Sequence, residues 1–313
     1  MKKKLIILSV ILICAILLGV TKGSVNISLN ELLLENNRPI FLLRILRVII
    51  AIIAGCGLSV SGIALQAILR NPLAEPYLLG TSSGAGLGAV IAIIAGISAV
   101  YMPLAAFLGA ALSVILVYGL SRQNNKISEQ SLILSGVIIS IAFSALIVFL
   151  VSVSGNEALH GLSWWLWGSL QAFDLKLISM AALIVSSGIA VIFVFSQDLN
   201  AISIGEEEAL HLGINAEQVK KIIILVVSLV SAGIVSICGI IGFVGLIIPH
   251  MMRFIFGPNH KKLIPATCLA SSVFMIICDV ISRTLFAPVE VPIGVITAII
   301  GTPVFIFLLK RKL

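Results

Sequence analysis

Residues 222–249, IIILVVSLVSAGIVSICGIIGFVGLIIP, form an apolar stretch without a charged side chain. A membrane-spanning helix needs about 20 apolar residues, so this stretch is long for one span and short for two. Gly239, Gly242 and Gly245 lie where two helices would require a tight turn, because glycine tolerates backbone conformations that other residues avoid. The number of spans in this stretch decides on which side of a membrane every later segment lies.

The positions of Lys and Arg favour two spans in this stretch. Two spans give ten helices with both termini inside, with fourteen basic residues inside and six outside. One span gives nine inside and eleven outside, and it leaves the basic C-terminus outside. Because inside loops of membrane proteins are enriched in Lys and Arg, we predict ten helices with cytoplasmic termini. The inside residues are Lys2, Lys3, Lys4, Arg70, Arg122, Lys126, Lys220, Lys221, Arg253, Lys261, Lys262, Lys310, Arg311 and Lys312, and the outside residues are Lys22, Arg38, Arg44, Arg47, Lys176 and Arg283.

The composition is that of a membrane protein. Of the 313 residues, 60% are hydrophobic and 11% are charged, whereas a water-soluble domain has roughly a quarter of its residues charged. The apolar runs are continuous rather than alternating, which predicts helices, since a bilayer admits only helices or closed barrels. We therefore predict an all-α, polytopic membrane protein with one transmembrane domain over residues 1–313. The predicted helices cover approximately 1–20, 48–68, 78–100, 103–120, 132–153, 175–195, 222–238, 241–256, 263–281 and 292–309.

Several function classes are disfavoured by the motifs that the sequence lacks. No G-x-x-x-x-G-K-[ST] phosphate-binding loop, H-E-x-x-H or C-x-x-C occurs, so we expect neither an enzyme nor a chain that binds ATP or another cofactor itself. The five cysteines lie singly in apolar stretches and the four histidines are scattered, which predicts no metal site. The net charge of +7 comes from basic residues spread between the spans, which indicates topology and not a nucleic-acid-binding face.

Two outside arginines oppose the charge bias. Arg44 and Arg47 lie at the outside start of the second predicted helix and are three residues apart, so they should project from one helix face. One interpretation is that they extend their charged ends to the membrane surface. The other is a cationic docking point for an acidic partner, and position alone does not decide between the two.

The inside end of the second helix continues into the turn Arg70-Asn-Pro-Leu-Ala-Glu-Pro76. Two prolines stop one helix and limit how the next begins. The sequence GTSSGAGLG at 80–88 follows, with small residues at spacings that let helix backbones approach closely. A tight helix hairpin explains this shape, but it does not explain a turn with charged and amide side chains beside so closely packed a helix start.

The longest polar stretch is the inside loop from about residue 196 to residue 221. Acidic residues open a short helical turn in it, which the helix dipole favours, and a glycine is placed to end that turn. Ala209, Leu210 and Leu212 give the turn an apolar edge. The loop is either a solvated connector or a helical knob that fits the groove of a soluble partner. The candidate contact residues are Gly205, Glu206, Glu207, Glu208, Ala209, Leu210, Leu212 and Gly213.

Two further helices contain polar positions. Asp279 and Arg283 are four residues apart in the ninth predicted helix, so they can pair on one face, and an unpaired acid within a membrane would be costly. We therefore predict a structural ion pair. In the fifth predicted helix, Gly136, Ser140 and Ser144 recur at every fourth position and form a small, weakly polar stripe. The stripe fits either helix packing or the lining of a central path.

Spaced motifs occur in order from about Leu43 to Leu309. The motifs are Ser61-Gly62 through Gln66 to the turn at 71–76 and Gly80, Trp167-Gly168-Ser169, GFVGLIIPH at 242–250 with Arg253, Pro265, Asp279 with Arg283, and EVPIG at 290–294 with Gly301 and Pro303. In these motifs the chain resembles the permease subunits of bacterial ABC importers for iron-siderophores, haem and vitamin B12. Leu46 stands where that family usually has a proline between two arginines, and Ile204 replaces a usual leucine.

The resemblance implies a set of partners in the bacterial cytoplasmic membrane. A second permease subunit, identical or paralogous, would share a central path with this one. Two ATP-binding cassette ATPase subunits would use ATP on the inside, and an extracytoplasmic substrate-binding protein would deliver cargo outside. By the same resemblance, Arg44, Arg47 and Arg283 would bind acidic residues of the delivery protein. Asn71 and Leu73 would lie at the inner gate, and residues 205–213 would contact the ATPases.

The competing interpretation is a secondary transporter driven by an ion gradient. Such proteins often need a membrane-embedded carboxylate, and Asp279 is the candidate, but its nearby Arg283 argues against titration. A scaffold protein would give no reason for the apolar edge of the inside loop. Among the cargoes, iron-siderophore is the commonest in the family, and haem and cobalamin remain alternatives.

Overall fold

Helices make up nearly all of the fold, as predicted. A computed structural model describes residues 2–25, 27, 34–123, 126–154, 166–171 and 174–310, so Arg311 and Lys312 of the predicted basic C-terminus lie outside the described residues. The helices are α1 (Lys2–Thr21), α2 (Arg38–Ile68), α3 (Thr81–Ile94), α4 (Met102–Ser121), α5 (Glu129–Ser152), α6 (Leu175–Val194), α7 (Ser196–Ile204), α8 (Glu206–His211), α9 (Ala216–Cys238), α10 (Val244–Phe256), α11 (His260–Thr284) and α12 (Ile293–Lys310). Between α4 and α5, the two-residue strands β1 (Arg122–Gln123) and β2 (Lys126–Ile127) pair antiparallel.

Each predicted apolar segment overlaps one apolar helix. Among the described residues, seven helical segments are long and apolar enough to cross a membrane, and they contain α1, α2, α4, α5, α6, α9 and α11. Three shorter apolar helices, α3, α10 and α12, correspond to the remaining predicted segments. The chain is therefore a multi-pass helical membrane protein.

The apolar stretch 222–249 contributes to two helices, α9 and α10. α9 ends one residue before Gly239, whose φ of 67° lies in the left-handed region that favours glycine. Phe243, with a φ of 70°, directly precedes α10. Between them, the backbone N–H of Ile241 donates to the Tyr77 hydroxyl at 3.1 Å. The turn therefore lies between Gly239 and Phe243, whereas Gly245 lies inside α10.

Helix α2 is the centre of the bundle, and it packs against α6, α9, α10 and α11. Its closest approach to α10 is at Gly62, where an added Cβ would overlap the carbonyl oxygen of Gly245. A Cβ at Gly245 would in turn lie 2.8 Å from the carbonyl oxygen of Leu58. The two backbones therefore touch, and only glycine permits this approach. This contact places the start of α10 beside the last turns of α2.

The small residues of α3 pack closely against α4, as their spacing predicted. An added Cβ at Gly84 would overlap the carbonyl oxygen of Gly109, and one at Gly88 would overlap that of Ala105. The 70–76 turn leads into α3 through the short 3-10 turn Pro76–Leu79. The packing of α3 against α4 therefore fixes the C-terminal end of the 70–76 turn.

Candidate functional site

Helix α2 places Arg44 against the C-terminal end of α1. Arg44 is only 4% exposed and donates hydrogen bonds to the carbonyl oxygens of Val20, Thr21 and Val25, at 3.3, 2.6 and 2.7 Å. The last carbonyl groups of a helix lack partners within that helix, and the C-terminal end attracts cations. Arg44 therefore satisfies the carbonyl groups at and just beyond the end of α1.

Asp279, on α11, is the buried centre of four charged residues that we call the outer ion-pair network: Arg47, Asp279, Arg283 and Glu290. Asp279 Oδ2 lies 2.8 Å from Arg283 Nη2, so the ion pair expected from their spacing is present. Asp279 Oδ1 lies 2.8 Å from Arg47 Nη2. Arg47 Nη1 lies 2.8 Å from Glu290 Oε2. Two cations and two carboxylates thus compensate one another, and Glu290 is the most exposed of the four side chains.

Arg283 also joins α11 to the end of α1. Its two Nη atoms donate to the carbonyl oxygens of Lys22 and Gly19, each at 3.0 Å. All three candidate docking arginines are therefore buried and bonded within the chain. Neither Arg44 nor Arg47 extends its charged end freely to the surface, because α1, α11 and the segment before α12 surround this end of α2 and supply acceptors. Their role in docking a partner stays a prediction.

The same arginines nevertheless line a cavity at this end of the bundle. The cavity has a volume of about 280 Å³, and Arg44, Arg47, Arg283, Gln171 and Glu290 contribute to its wall. Gln171 donates to Glu290 Oε2 at 2.7 Å, so this carboxylate is shared between Arg47 and Gln171. Glu290 and Gln171 were not predicted as members of this site, although Glu290 is the first residue of the EVPIG motif.

The turn at the other end of α2 is internally hydrogen-bonded. Asn71 Oδ1 accepts from the Leu73 N–H at 2.9 Å, and the Asn71 carbonyl oxygen accepts from the Ala74 N–H at 3.1 Å. Arg70, just before them, has a φ of 42°, which is uncommon for a residue with a side chain. The Leu73 side chain is half exposed. The turn is thus a defined structure that presents an apolar side chain at its tip.

A buried amide ties this turn to α10. Gln66 Nε2 donates to the carbonyl oxygens of Ala74 and Gly245, at 3.2 and 3.3 Å. Gln66 Oε1 accepts from Arg253 Nη1 at 2.5 Å. Glu75, in the same turn, is partly buried, and this burial raises the pKa of its carboxyl. Gln66 and Arg253 belong to the quoted motifs, but their contact was not predicted.

The polar loop 196–221 contains two short helices, α7 and α8, and the start of α9. The three acidic residues Glu206, Glu207 and Glu208 form the first turn of α8, and Gly213 has the left-handed φ of 76° that suits a residue ending a helix. Leu210 and Leu212 are each 70% exposed. An apolar edge is therefore present at this end of the bundle, as the sequence indicated.

The apolar edge differs in its membership from the prediction. Ala209 is fully buried, because it lies on the face of α8 that packs against the bundle, so its assignment to the edge is wrong. Ile204, the last residue of α7, is 73% exposed. We therefore define the apolar edge as Ile204, Leu210 and Leu212.

The small stripe on α5 is divided between packing and exposure. Gly136 is buried, and an added Cβ there would overlap the carbonyl oxygen of Leu78. Ser140 is partly buried, and Ser144 is exposed. Gly136 therefore serves helix packing against the Pro76–Leu79 turn. The lining of a path by Ser140 and Ser144 stays a prediction.

The fold defines a multi-pass helical membrane protein that has a buried charged site at one end of the bundle and an exposed apolar edge at the other. Residues 7–311 match the model of the FecCD transport family, and the chain belongs to that family. The sequence resemblance is thereby confirmed, and the chain is a transport component rather than an enzyme.

Two relatives with named functions align over most of the chain. The cobalamin import system permease protein BtuC of Halobacterium salinarum is 36% identical over 271 residues, which are 86% of this chain and 73% of that protein. The Fe(3+)-citrate import system permease protein YfmE of Bacillus subtilis is 35% identical in an alignment of 318 positions, which covers 98% of this chain and 94% of that protein. Both are import permeases, and their named cargoes differ.

A solved structure agrees with the fold over nearly the whole length. It is described as an inward-facing conformation of a metal-chelate type ABC transporter. It superposes with a TM-score of 0.92 and 31% sequence identity, and it covers 99% of this chain and 100% of the matched chain. Similarity to this ABC transporter favours an ATP-driven importer over a transporter driven by an ion gradient.

Proposed function

We propose that this chain is the permease subunit of an ATP-driven importer for iron-siderophore complexes. It would cross the bacterial cytoplasmic membrane with ten helices and have both termini inside. This orientation places fourteen of the twenty basic residues on the cytoplasmic side, which agrees with the positive-inside rule. The exposed apolar edge is the observation that supports an energy-coupling role most strongly.

The apolar edge is proposed to contact the ATPase subunits. The chain contains no G-x-x-x-x-G-K-[ST] loop, so energy from ATP must arrive through contact with another protein. Ile204, Leu210 and Leu212 expose apolar side chains on a polar loop outside the spans, which suits insertion into a groove. One copy of this loop on each of two permease subunits would contact two ATPases.

The turn at the inside end of α2 is proposed to form the inner gate. Its half-exposed Leu73 could close a path between two permease subunits, and Asn71 holds the turn in shape through its bond to the Leu73 N–H. The bonds from Gln66 connect the turn to the backbone of α10. A displacement of α10 against α2 would therefore move the gate.

The outer cavity is proposed to receive acidic side chains of the extracytoplasmic substrate-binding protein. Arg44, Arg47 and Arg283 outnumber Asp279 and Glu290 there, so the site has one excess positive charge. A partner carboxylate entering the cavity could share Arg47 with the partly exposed Glu290. Electrostatic attraction of this kind mainly raises the association rate.

The cargo is proposed by chemical class. Relatives of this chain are named for iron citrate and for cobalamin, and the similar structure is described as a metal-chelate transporter. All of these describe a metal held in an organic chelate, and the family resemblance includes haem in the same class. The ion-gradient alternative loses its coupling candidate, because Asp279 lies between two arginines.

A substrate panel tests this proposal. We expect a deletion strain to lose growth on one ferric siderophore and to regain it when the gene is supplied on a plasmid. Uptake of radiolabelled ferric siderophores, haem and cobalamin by the two strains identifies the cargo, and uptake of an unrelated amino acid serves as the control. Unchanged uptake of every metal chelate after deletion would contradict the proposed function.

A further inference from the structure

Four charged residues form a second network at the inner end of the bundle, which we call the inner ion-pair network: Arg70, Glu129, Lys220 and Glu206. Arg70 Nε donates to Glu129 Oε1 at 2.8 Å. Lys220 Nζ lies 3.7 Å from the same oxygen of Glu129, and it also forms an ion pair with Glu206. The network therefore runs from the turn at 70–76, which we call the inner turn, to the loop that carries the apolar edge.

Each member of the network belongs to a different element. Arg70 follows α2, Glu129 is the first residue of α5, Glu206 is the first residue of α8, and Lys220 lies in the first turns of α9. Of these elements, α8 and α9 are neighbours along the chain, whereas α2 and α5 are far from them and from each other in sequence. The side-chain charges thus connect elements that are distant along the backbone.

Lys220 is the member that the fold constrains most. Its side chain is only 3% exposed, whereas those of Arg70, Glu129 and Glu206 are 42%, 21% and 40% exposed. A buried ammonium group is stable only when it is paired, and the loss of one partner leaves an uncompensated charge. Lys220 is ion-paired with both carboxylates, so we expect a displacement of Glu206 to shift the ammonium group relative to Glu129.

Arg70 links the network to the inner turn. Its left-handed φ of 42° is unfavourable for a residue with a Cβ, so other contacts must hold it there. The hydrogen bond that Arg70 donates to Glu129 raises the pKa of Arg70, and the charges of Glu206 and Glu208 act in the same direction. Arg70 directly precedes Asn71, whose side chain shapes the turn. The electrostatic influence of α8 thus extends to the residue on which the turn begins.

We propose that Lys220 is a positioning residue that transmits displacement of α8 to the inner turn through Glu129 and Arg70. The inference rests on the proposed function, because it takes α8 as the ATPase contact and the turn as the gate. A competing route exists through α7, whose buried Leu199 and Ile202 belong to the apolar core beside α2. The network and the apolar route are separable, since removing the charge at 220 leaves the packing of α7 intact.

The test is the ratio of uptake to ATP hydrolysis, measured in the same proteoliposomes with the complete importer. We expect Lys220→Gln to keep the ATPase subunits bound and hydrolysing ATP, while uptake per ATP falls roughly tenfold, within the usual range of coupling between sites. Lys220→Arg preserves the charge and should retain most of the ratio. Lys221→Gln, which removes the adjacent charge on α9, is the matched control and should leave the ratio unchanged.

Glu129→Gln provides a second variant that does not depend on a buried lysine. It weakens the network at its middle, and the same fall in uptake per ATP is expected. In the double variant of Glu129→Gln and Lys220→Gln, the two effects on uptake per ATP should not add, because both substitutions interrupt the same path. A wild-type ratio in Glu129→Gln, or additive effects in the double variant, would overturn the role of the network. Absence of ATP-dependent uptake in the wild type would instead contradict the proposed function.

Discussion

Replacement of Leu210 by aspartate is expected to abolish ATP-driven uptake. Leu210 projects from the apolar edge and is 70% exposed, so the fold of the permease does not depend on it. In a complex with an ATPase subunit, the new carboxylate would be desolvated without a partner, which costs several kcal/mol, about the magnitude that dissociates a moderately stable contact. The permease should insert normally, because position 210 lies outside the spans.

Co-purification of the ATPase subunits with the permease measures this effect directly, together with uptake in proteoliposomes. Gln218→Asp is the matched control, since it adds the same charge at an exposed position of the same loop that does not belong to the apolar edge. We expect the control to assemble and transport like the wild type. Normal assembly and normal uptake in Leu210→Asp would show that the loop is only a connector.

Replacement of Asp279 by asparagine is expected to be the most destabilising change in the bundle. Asp279 is fully buried and lies 2.8 Å from guanidinium nitrogens of both Arg47 and Arg283. Asparagine has nearly the same volume, so the variant removes the charge and little else. Arg47 would then keep the carboxylate of Glu290, whereas Arg283 would lose its ion pair and keep its bonds to the carbonyl oxygens of Lys22 and Gly19. Breaking a buried pair in this way costs about 3–5 kcal/mol.

The loss appears as a lower melting temperature of the detergent-solubilised permease, or as a lower yield of inserted protein. Glu290→Gln is the comparison variant, because the Glu290 side chain is 20% exposed and Arg47 keeps its bond to Asp279. We expect it to lower stability much less. Equal stability of Asp279→Asn and the wild type would mean that the outer ion-pair network does not stabilise the fold.

The helices could be predicted from the sequence because hydropathy is a local property. The start of the second helix shows the limit of this approach. Its predicted span begins at residue 48, whereas α2 begins at Arg38, with a proline in its first turn. The charged residues Arg44 and Arg47 lowered the local hydropathy although both are buried. Their partners lie on other elements, and hydropathy takes no account of such partners.

The candidate site could be predicted only where its residues are neighbours in sequence. Asp279 and Arg283 are four positions apart, so their pairing follows from helix geometry. Arg47 is separated from Asp279 by 232 positions and from Glu290 by 243, and no local pattern reports these contacts. For the same reason, the contacts from Arg70 through Glu129 to Lys220 could not be predicted from the sequence.

The inside loop shows a third kind of limit. Its helix start, apolar residues and closing glycine were visible as a pattern, but a helix of six residues does not reveal which face is buried. Ala209 faces the bundle, while Ile204, from the preceding helix, joins Leu210 and Leu212 at the surface. Only the arrangement of α7 against α8 determines the membership of the apolar edge.

Uptake by the reconstituted complex tests most directly whether ATP hydrolysis in partner subunits drives transport through this chain. Vesicles containing the permease, the ATPase subunits and ATP would be supplied with the substrate-binding protein and its labelled metal chelate. We predict uptake with ATP, none with a non-hydrolysable analogue, and no change when ionophores abolish the ion gradients. Uptake that follows an imposed ion gradient in vesicles without the ATPase subunits would contradict this mechanism.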